Sequence, residues 1–130
     1  AARLEGMTKL FRAPILLDES TAERVRRDVP RSTARLRRVA RVRPYGLETP
    51  VVISELLPPA ADDALLTDEH LAYYEAALDA FIEGRWSKAF ELLHRIPAED
   101  QVKDYMTAYI AQHNRIPPPN WSGVIELNTK

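Results

Sequence analysis

The sequence predicts an α+β fold, with helices and strands mixed in residues 1–57, a linker in residues 58–66 and a small three-helix unit in residues 67–130. In the first segment, short apolar runs stand between turn residues, which is typical of strands. In the last segment, apolar residues recur at helical spacing. The 130 residues, 45% of them apolar, suffice for one compact domain or for two small units that share a core.

The first segment begins with a predicted helix over residues 2 to about 11, which Pro14 ends. Residues 15–17 form a short, wholly apolar run that predicts a buried strand. A hydroxyl at Ser20 and a carboxylate at Glu23 have the spacing of a capping box. We therefore expect a short second helix that starts at Ser20 and ends before Pro30.

A β-hairpin is predicted next. Residues 35–43 tend to alternate between arginine and apolar residues, but Val39 and Val42 are offset by one position, which indicates a bulge or a twist. Residues 44–49 supply turn chemistry, and residues 51–56 are predicted to form a second strand. We expect the arginines to lie on one face of the hairpin and the valines on the other.

Three helices are predicted after the linker. Thr67 offers a helix cap with acidic residues behind it, and Gly84 ends the helix that it starts. A second helix begins near Trp86 and ends before Pro97. The third, in residues 102–110, has the most regular apolar stripe of the chain.

The end of the sequence cannot be helical, because residues 116–119 read Ile-Pro-Pro-Pro. We expect an extended tail in which Trp121 and residues 124–127 dock as an apolar strap or as a short edge strand. Residues 84–89, with Pro97 after them, resemble the turn of a tetratricopeptide repeat. A single repeat is rarely stable alone, so this unit is expected to pack on the first segment or on a protein partner.

Charge is divided unevenly along the chain. Residues 1–57 hold 12 Lys and Arg against 7 Asp and Glu, whereas residues 58–130 hold 6 against 12. Nine arginines lie between Arg24 and Arg43, with Asp28 as the one acid among them. These arginines could bind an anionic ligand or pair with the acidic half of their own chain. Nucleic-acid binding is disfavoured, because no aromatic residue is interleaved with them in residues 35–43.

Several function classes lack their signature. The chain has no cysteine, no apolar run near the roughly 20 residues of a membrane span, and no signal-peptide pattern. We therefore expect no membrane insertion in this segment and a cytoplasmic setting, although a longer parent protein could be anchored upstream. His70, His94 and His113 lack metal-ligand spacing, and no glycine-rich phosphate loop is present.

Residues 1–6 read Ala-Ala-Arg-Leu-Glu-Gly and lack a helix-start signal. They resemble a helix of class III nucleotidyl cyclases, which carries Asn, three small or apolar residues, Arg and then Leu-Glu-Gly. The Asn position would precede Ala1, so we expect this chain to be the C-terminal piece of such a cyclase. The predicted order of helix, strand, helix and hairpin resembles the last third of the ferredoxin-like catalytic domain. Residues from 67 onward resemble a helical extension of some bacterial members, with a similar closing segment at residues 117–123.

The resemblance assigns roles to three residues. It implies that Arg3 is catalytic and stabilises negative charge on the substrate phosphates. The family turn reads roughly Val-Lys-Gly-Lys, and its first Lys contacts phosphate; here residues 44–47 read Pro-Tyr-Gly-Leu, so Tyr45 replaces that Lys. Tyrosine brings no charge, so Arg43 or Arg41 would have to supply the phosphate contact.

The implied parent reaction converts ATP to cyclic AMP and pyrophosphate in a homodimer, with two Mg²⁺ or Mn²⁺ ions held by upstream aspartates. Nothing in this chain matches those aspartates, so we expect no metal site and no activity of the fragment alone. GTP stays open as a substrate, because the base-reading residues lie upstream. The alternative is a non-catalytic interaction module on a degenerate cyclase scaffold, with a protein partner at the helical unit.

Overall fold

The computed structural model describes residues 2–127, apart from the side chains of Ala2, Arg3 and Glu5. The fold is α+β, as predicted, with one four-stranded sheet. The elements in chain order are α1 (Ala2–Phe11), β1 (Leu16–Leu17), α2 (Glu19–Asp28), β2 (Arg35–Arg43), β3 (Val51–Leu57), a 3₁₀ turn (Ala60–Asp62), α3 (Asp68–Ile82), α4 (Trp86–Leu93), α5 (Val102–Gln112) and β4 (Ile125–Glu126).

The strands lie in the order β1-β3-β2-β4. Strands β2 and β3 form the predicted antiparallel hairpin, and β1 pairs antiparallel with β3. Strand β4 runs parallel to β2, with Val42 opposite Ile125. The tail therefore forms a short edge strand, one of the two arrangements predicted for it.

The predicted bulge is confirmed, because the pairing of β2 with β3 shifts between Arg38 and Ala40. The predicted separation of arginines from valines is wrong. Arg35 and Arg37 before the bulge, and Ala40 and Val42 after it, are opposite alternate residues of β3 and so share one face of the sheet. All four are buried. The extra residue in the bulge brings arginines and apolar residues onto the same face.

One predicted helix cap is correct and one is wrong. Thr67 caps α3: its side chain accepts a hydrogen bond from the His70 backbone N–H at 3.1 Å, and its own backbone N–H donates to Nδ1 of the His70 ring at 3.1 Å. Helix α2, however, is capped by Asp18 and not by Ser20. The Asp18 carboxylate accepts from the Thr21 N–H at 2.8 Å, and that bond holds the pKa of Asp18 below its ordinary value. A charged acceptor earlier in the chain thus starts the helix before the predicted hydroxyl.

The helical unit packs directly on the first segment. Buried apolar side chains of the sheet and of α1, α3, α4 and α5 belong to one cluster. Helix α3 contacts both β2 and α4, and the rings of Phe11 in α1 and Tyr105 in α5 lie 4.6 Å apart between centroids. Within residues 2–127, no helix has the length and apolar character to cross a membrane.

The tail, residues 117–127, crosses the helical unit before it joins the sheet, and we call it the aromatic strap. Trp121 and Trp86 both donate from Nε1 to the Phe81 carbonyl, at 2.8 and 3.0 Å, and their ring centroids are 5.2 Å apart. Gly123 fits so closely on Ile82 that a Cβ there would lie 2.7 Å from Ile82 Cγ2. The strap thereby fastens the turn between α3 and α4 to the edge of the sheet.

Candidate functional site

The predicted catalytic residue, Arg3, belongs to helix α1, but its side chain lies outside the described residues. Helix α1 contacts β1 and α5. The backbone therefore fixes the position of the motif helix beside the sheet, while the contacts of the Arg3 guanidinium stay a prediction.

The two predicted substrate-binding residues lie at one end of the β2–β3 hairpin. Arg43 is the last residue of β2, and its Nη1 lies 3.2 Å from Oε2 of Glu126 in β4. Its Nε is buried and has no hydrogen-bond partner among the described residues. Tyr45 lies in the turn and is 51% exposed, and Gly46 beside it has a φ of 84°. The hairpin thus presents one aromatic hydroxyl and a guanidinium that a carboxylate of the tail partly neutralises.

The sequence did not predict in detail a polar cluster that joins the hairpin to the acidic half of the chain. We call it the arginine seam: Arg35, Arg37 and Arg38 of β2 with the carboxylates that they bind. The charge imbalance between the two halves was the available signal for this pairing. It indicated acid pairing as one alternative, but it could not indicate which acid meets which arginine.

Arg37 lies at the centre of the seam and is fully buried. Its Nη2 donates to Glu55 Oε1 at 2.6 Å and to Asp100 Oδ1 at 3.0 Å, while its Nη1 donates to Asp100 Oδ2 at 2.7 Å. The guanidinium also lies over the Tyr74 ring, 4.8 Å from its centroid. One cation thus faces two carboxylates in a site without bulk water, and each charge depends on the others for its solvation.

Burial and pairing act against each other in this group. Burial alone would lower the pKa of Arg37, but its hydrogen bonds to Asp100 and the charges of both carboxylates raise that pKa above its ordinary value. For Glu55 burial outweighs pairing: burial raises its pKa more than Arg37 lowers it, so the pKa of Glu55 lies above its ordinary value. Arg37 therefore stays charged, and Glu55 is the member of the group whose ionised form is disfavoured by burial.

Arg35 is equally buried and binds three acceptors beyond the hairpin. Its Nε donates to the Pro58 carbonyl at 2.8 Å, its Nη2 to Asp63 at 3.0 Å and its Nη1 to Asp68 at 3.1 Å. The hydrogen bond from Arg35 holds the pKa of Asp68 below its ordinary value. Asp68 accepts a second hydrogen bond from Arg31 at 3.0 Å. Arg35 thus attaches the end of β3 and the start of α3 to the first strand of the hairpin.

Side chains of α3 make hydrogen bonds with the backbone groups of Arg38 and Val39 at the open edge of β2. The Arg38 backbone N–H donates to Glu75 at 2.7 Å, and its side chain binds Glu75 and Asp79. On the next residue, the Val39 carbonyl accepts from the Tyr74 hydroxyl at 2.7 Å. Side chains of α3 therefore take the place of a neighbouring strand along this part of the edge.

The seam limits the positive charge that the arginines between Arg24 and Arg43 can offer to a ligand. Its three arginines bind carboxylates of their own chain, so they offer little unpaired charge to an external anion. Arg41, the other candidate for a phosphate contact, has no ion pair among residues 2–127. Within the same residues, no group of three or more His, Asp or Glu is placed to hold a metal ion.

Comparisons with protein-family models, with curated proteins and with solved structures found no match for this chain. Function is therefore inferred from three things: the motif of residues 1–6, the order of the elements that follow it, and the chemistry of the side chains described above.

Proposed function

We propose that this chain is the C-terminal part of a class III nucleotidyl cyclase that converts ATP to cyclic AMP and pyrophosphate. The observation that carries the proposal is the Ala-Ala-Arg-Leu-Glu-Gly motif on α1, followed in order by a strand, a helix and a hairpin. This order supports the proposal, because it resembles the order expected for the last third of a ferredoxin-like cyclase domain. The full catalytic domain would include further strands and helices upstream.

In this proposal Arg3 stabilises the transition state. The ribose 3′-hydroxyl loses its proton to solvent as its oxygen attacks the α-phosphate, the bond from that phosphorus to the oxygen bridging the α- and β-phosphates breaks, and negative charge moves toward the departing pyrophosphate. A guanidinium can donate two parallel hydrogen bonds to phosphate oxygens and stays charged at any working pH. Such cations can contribute about 10³–10⁵ in rate to other phosphoryl transfers.

Metal ions would be held elsewhere. In the family, two Mg²⁺ or Mn²⁺ ions bind aspartates upstream of the arginine helix, and the proposal leaves that role to residues outside this chain. Arg3 would face the ions of the partner protomer, so the active enzyme would be a homodimer. Substrate phosphate would meet Arg43 at the end of β2, where it would compete with Glu126 for the guanidinium, while Tyr45 would contribute a single hydrogen bond.

The test is cyclic-nucleotide formation from Mn²⁺-ATP by the full-length protein, compared with its Arg3→Ala variant. We expect kcat/KM to fall by about two orders of magnitude or more, because the variant loses charge stabilisation in the transition state. Lys9→Ala is the matched control, because it removes an exposed cation from the last turn of the same helix. The activity of Lys9→Ala should stay within about twofold of that of the unsubstituted full-length protein.

Equal activity of the unsubstituted protein and the Arg3→Ala variant would contradict the role proposed for Arg3. No activity from ATP or GTP in any variant would favour the second candidate, an interaction module on a degenerate cyclase scaffold. Tyr45 is the observation that favours this candidate, because it replaces the charged residue of the family turn. In that case the protein partner would be sought at the helical unit.

A further inference from the structure

A cleft lies away from the hairpin turn, between α2, the start of β2 and α3. Its volume is about 570 Å³, which is within the range of sites that bind small molecules. Neither Arg43 nor Tyr45 lines it. The cleft therefore belongs to a different part of the molecule from the predicted nucleotide contacts.

The floor of this cleft is apolar. Val25 and Val29 are one helical turn apart at the end of α2, Leu36 comes from β2, and Leu71 comes from α3. Leu71 is buried, and the other three are partly exposed. The floor thus offers a hydrophobic surface that both halves of the chain contribute to.

The polar side chains that line the cleft carry a surplus of positive charge. Four arginines and two acids line the cleft. Glu75 is engaged by Arg38, and Asp68 is shared between Arg31 and Arg35.

Arg26 differs from the other three arginines of the cleft, each of which binds a carboxylate. It is exposed, and it has no ion pair or hydrogen bond with the rest of the described chain. Both members of the Arg31–Asp68 pair are more than half exposed, so that pair is weak and its guanidinium can turn to another anion. Arg26 and Arg31 therefore line the same cleft as the apolar side chains, and neither guanidinium is held by a strong ion pair.

We propose that this cleft binds a small organic anion with a flat apolar body, such as an aromatic carboxylate or sulfonate. The anionic group would accept hydrogen bonds from Arg26 and Arg31, and the body would lie on the apolar floor. Because the floor includes residues of α2 and of α3, the bound ligand joins the hairpin segment to the helical unit. The proposal does not depend on the nucleotide reaction.

The test uses the 130-residue chain and a probe of this chemistry, 1-anilinonaphthalene-8-sulfonate, followed by its fluorescence at low salt. We expect saturable binding at one site. Arg26→Ala should raise the Kd about fivefold or more, because it removes a charge-assisted contact worth about 1 kcal/mol or more. Arg24→Ala is the matched control, since Arg24 is on the same helix, exposed, and not part of the cleft. Its Kd should stay within about twofold of the parent.

The uncharged analogue N-phenyl-1-naphthylamine separates the two parts of the site. It should bind more weakly, and Arg26→Ala should leave its affinity unchanged, because it has no anionic group for the guanidinium. Circular dichroism of each variant confirms that the fold is intact. Fluorescence that rises linearly without saturation, or an equal loss of affinity in Arg26→Ala and Arg24→Ala, would overturn the proposal.

Discussion

The arginine seam and the aromatic strap both attach helix α3 to the sheet, but by different chemistry. The seam places three guanidiniums of β2 against carboxylates, and two of those guanidiniums are fully buried. The strap instead packs Trp121 against Phe81 and Trp86, and the Trp121 indole donates one hydrogen bond to the Phe81 carbonyl.

The difference between them concerns specificity and stability. A buried ion pair loses its hydration, so its net contribution is small unless every partner is present in good geometry. Aromatic packing contributes in proportion to the area buried and depends less on the position of each atom. We therefore interpret the seam as the feature that fixes how α3 and the loop before α5 sit on the hairpin, and the strap as a main source of stability.

Removal of Arg37 should have the largest effect. Arg37→Ala leaves Glu55 and Asp100 buried without a cation, and loss of one member of a buried ion cluster costs about 3–5 kcal/mol. Urea unfolding followed by circular dichroism measures this loss. Arg41→Ala on the same strand is the control, and its change in stability should be within about 0.5 kcal/mol. A loss below about 1 kcal/mol for Arg37→Ala would contradict the interpretation of the seam.

A triple variant sharpens the comparison. Replacing Arg37 by Met and both Glu55 and Asp100 by Leu removes the whole ion cluster and fills the space with apolar groups. Such replacements are often neutral or stabilising, so most of the stability lost in Arg37→Ala should return. If the position of the loop before α5 depends on this ion cluster, the triple variant should be stable and yet show altered amide NMR shifts in that loop, around residue 100.

The strap should be sensitive to steric change at Gly123. A Cβ there would lie 2.7 Å from Ile82 Cγ2 and 3.1 Å from the Ile82 carbonyl oxygen, and the φ of 83° is unfavourable for alanine. Gly123→Ala should cost about 2–4 kcal/mol, from overpacking together with backbone strain. Gly6→Ala is the control: Gly6 is in α1, and a Cβ there would meet no atom within 4 Å outside its own stretch of the helix, so the change should raise the free energy of unfolding by at most about 1 kcal/mol. Equal thermal stability of the two variants would disprove the close fit of the strap.

The smallest expected effect is a pH dependence of the stability that Glu55 of the seam contributes. Because burial raises the pKa of Glu55, the folded state holds the Glu55 proton more tightly than the unfolded state does. The Glu55 contribution to stability should therefore decrease as pH rises from its ordinary pKa of 4.5 through the raised value. Glu55→Gln should remove this component, so the stability of the parent relative to the variant should fall across that window in urea titrations.

Asp18 provides the control of opposite sign. Its pKa is lowered by the hydrogen bond from the Thr21 N–H, so its contribution is present above the ordinary value of 3.8 and is lost as pH falls through the folded pKa. The difference in free energy of unfolding between the unsubstituted chain and Asp18→Asn should therefore become smaller as the pH falls. The same direction of change for both variants would contradict the assignment of the Glu55 shift to burial.

Local sequence signals predicted much of the fold. The order of helices and strands, the bulge in β2, the Thr67 cap and the edge strand of the tail all depend on residues close together in sequence. The cap of α2 was misplaced because Asp18 and Ser20 are both good capping residues, and the pattern alone does not decide between them.

The seam could not be predicted in detail, because its partners are far apart in the chain. Arg37 and Asp100 are 63 positions apart, and only the packing of the helical unit on the sheet brings them together. The contact between Arg43 and Glu126 depends on the parallel pairing of β4 with β2, which no local motif specifies. The predicted role of Arg3 comes from resemblance, and it stays a prediction.

The covering of β2 by α3 has a consequence for synthesis on the ribosome. The hairpin is translated before α3, so its edge groups at Arg38 and Val39 have no partner from their own chain until Glu75 and Tyr74 have emerged. During that interval the nascent hairpin can pair with a strand of another nascent chain. Slow translation through the α3 codons would lengthen this exposure, and chaperone binding to the nascent hairpin would shorten it.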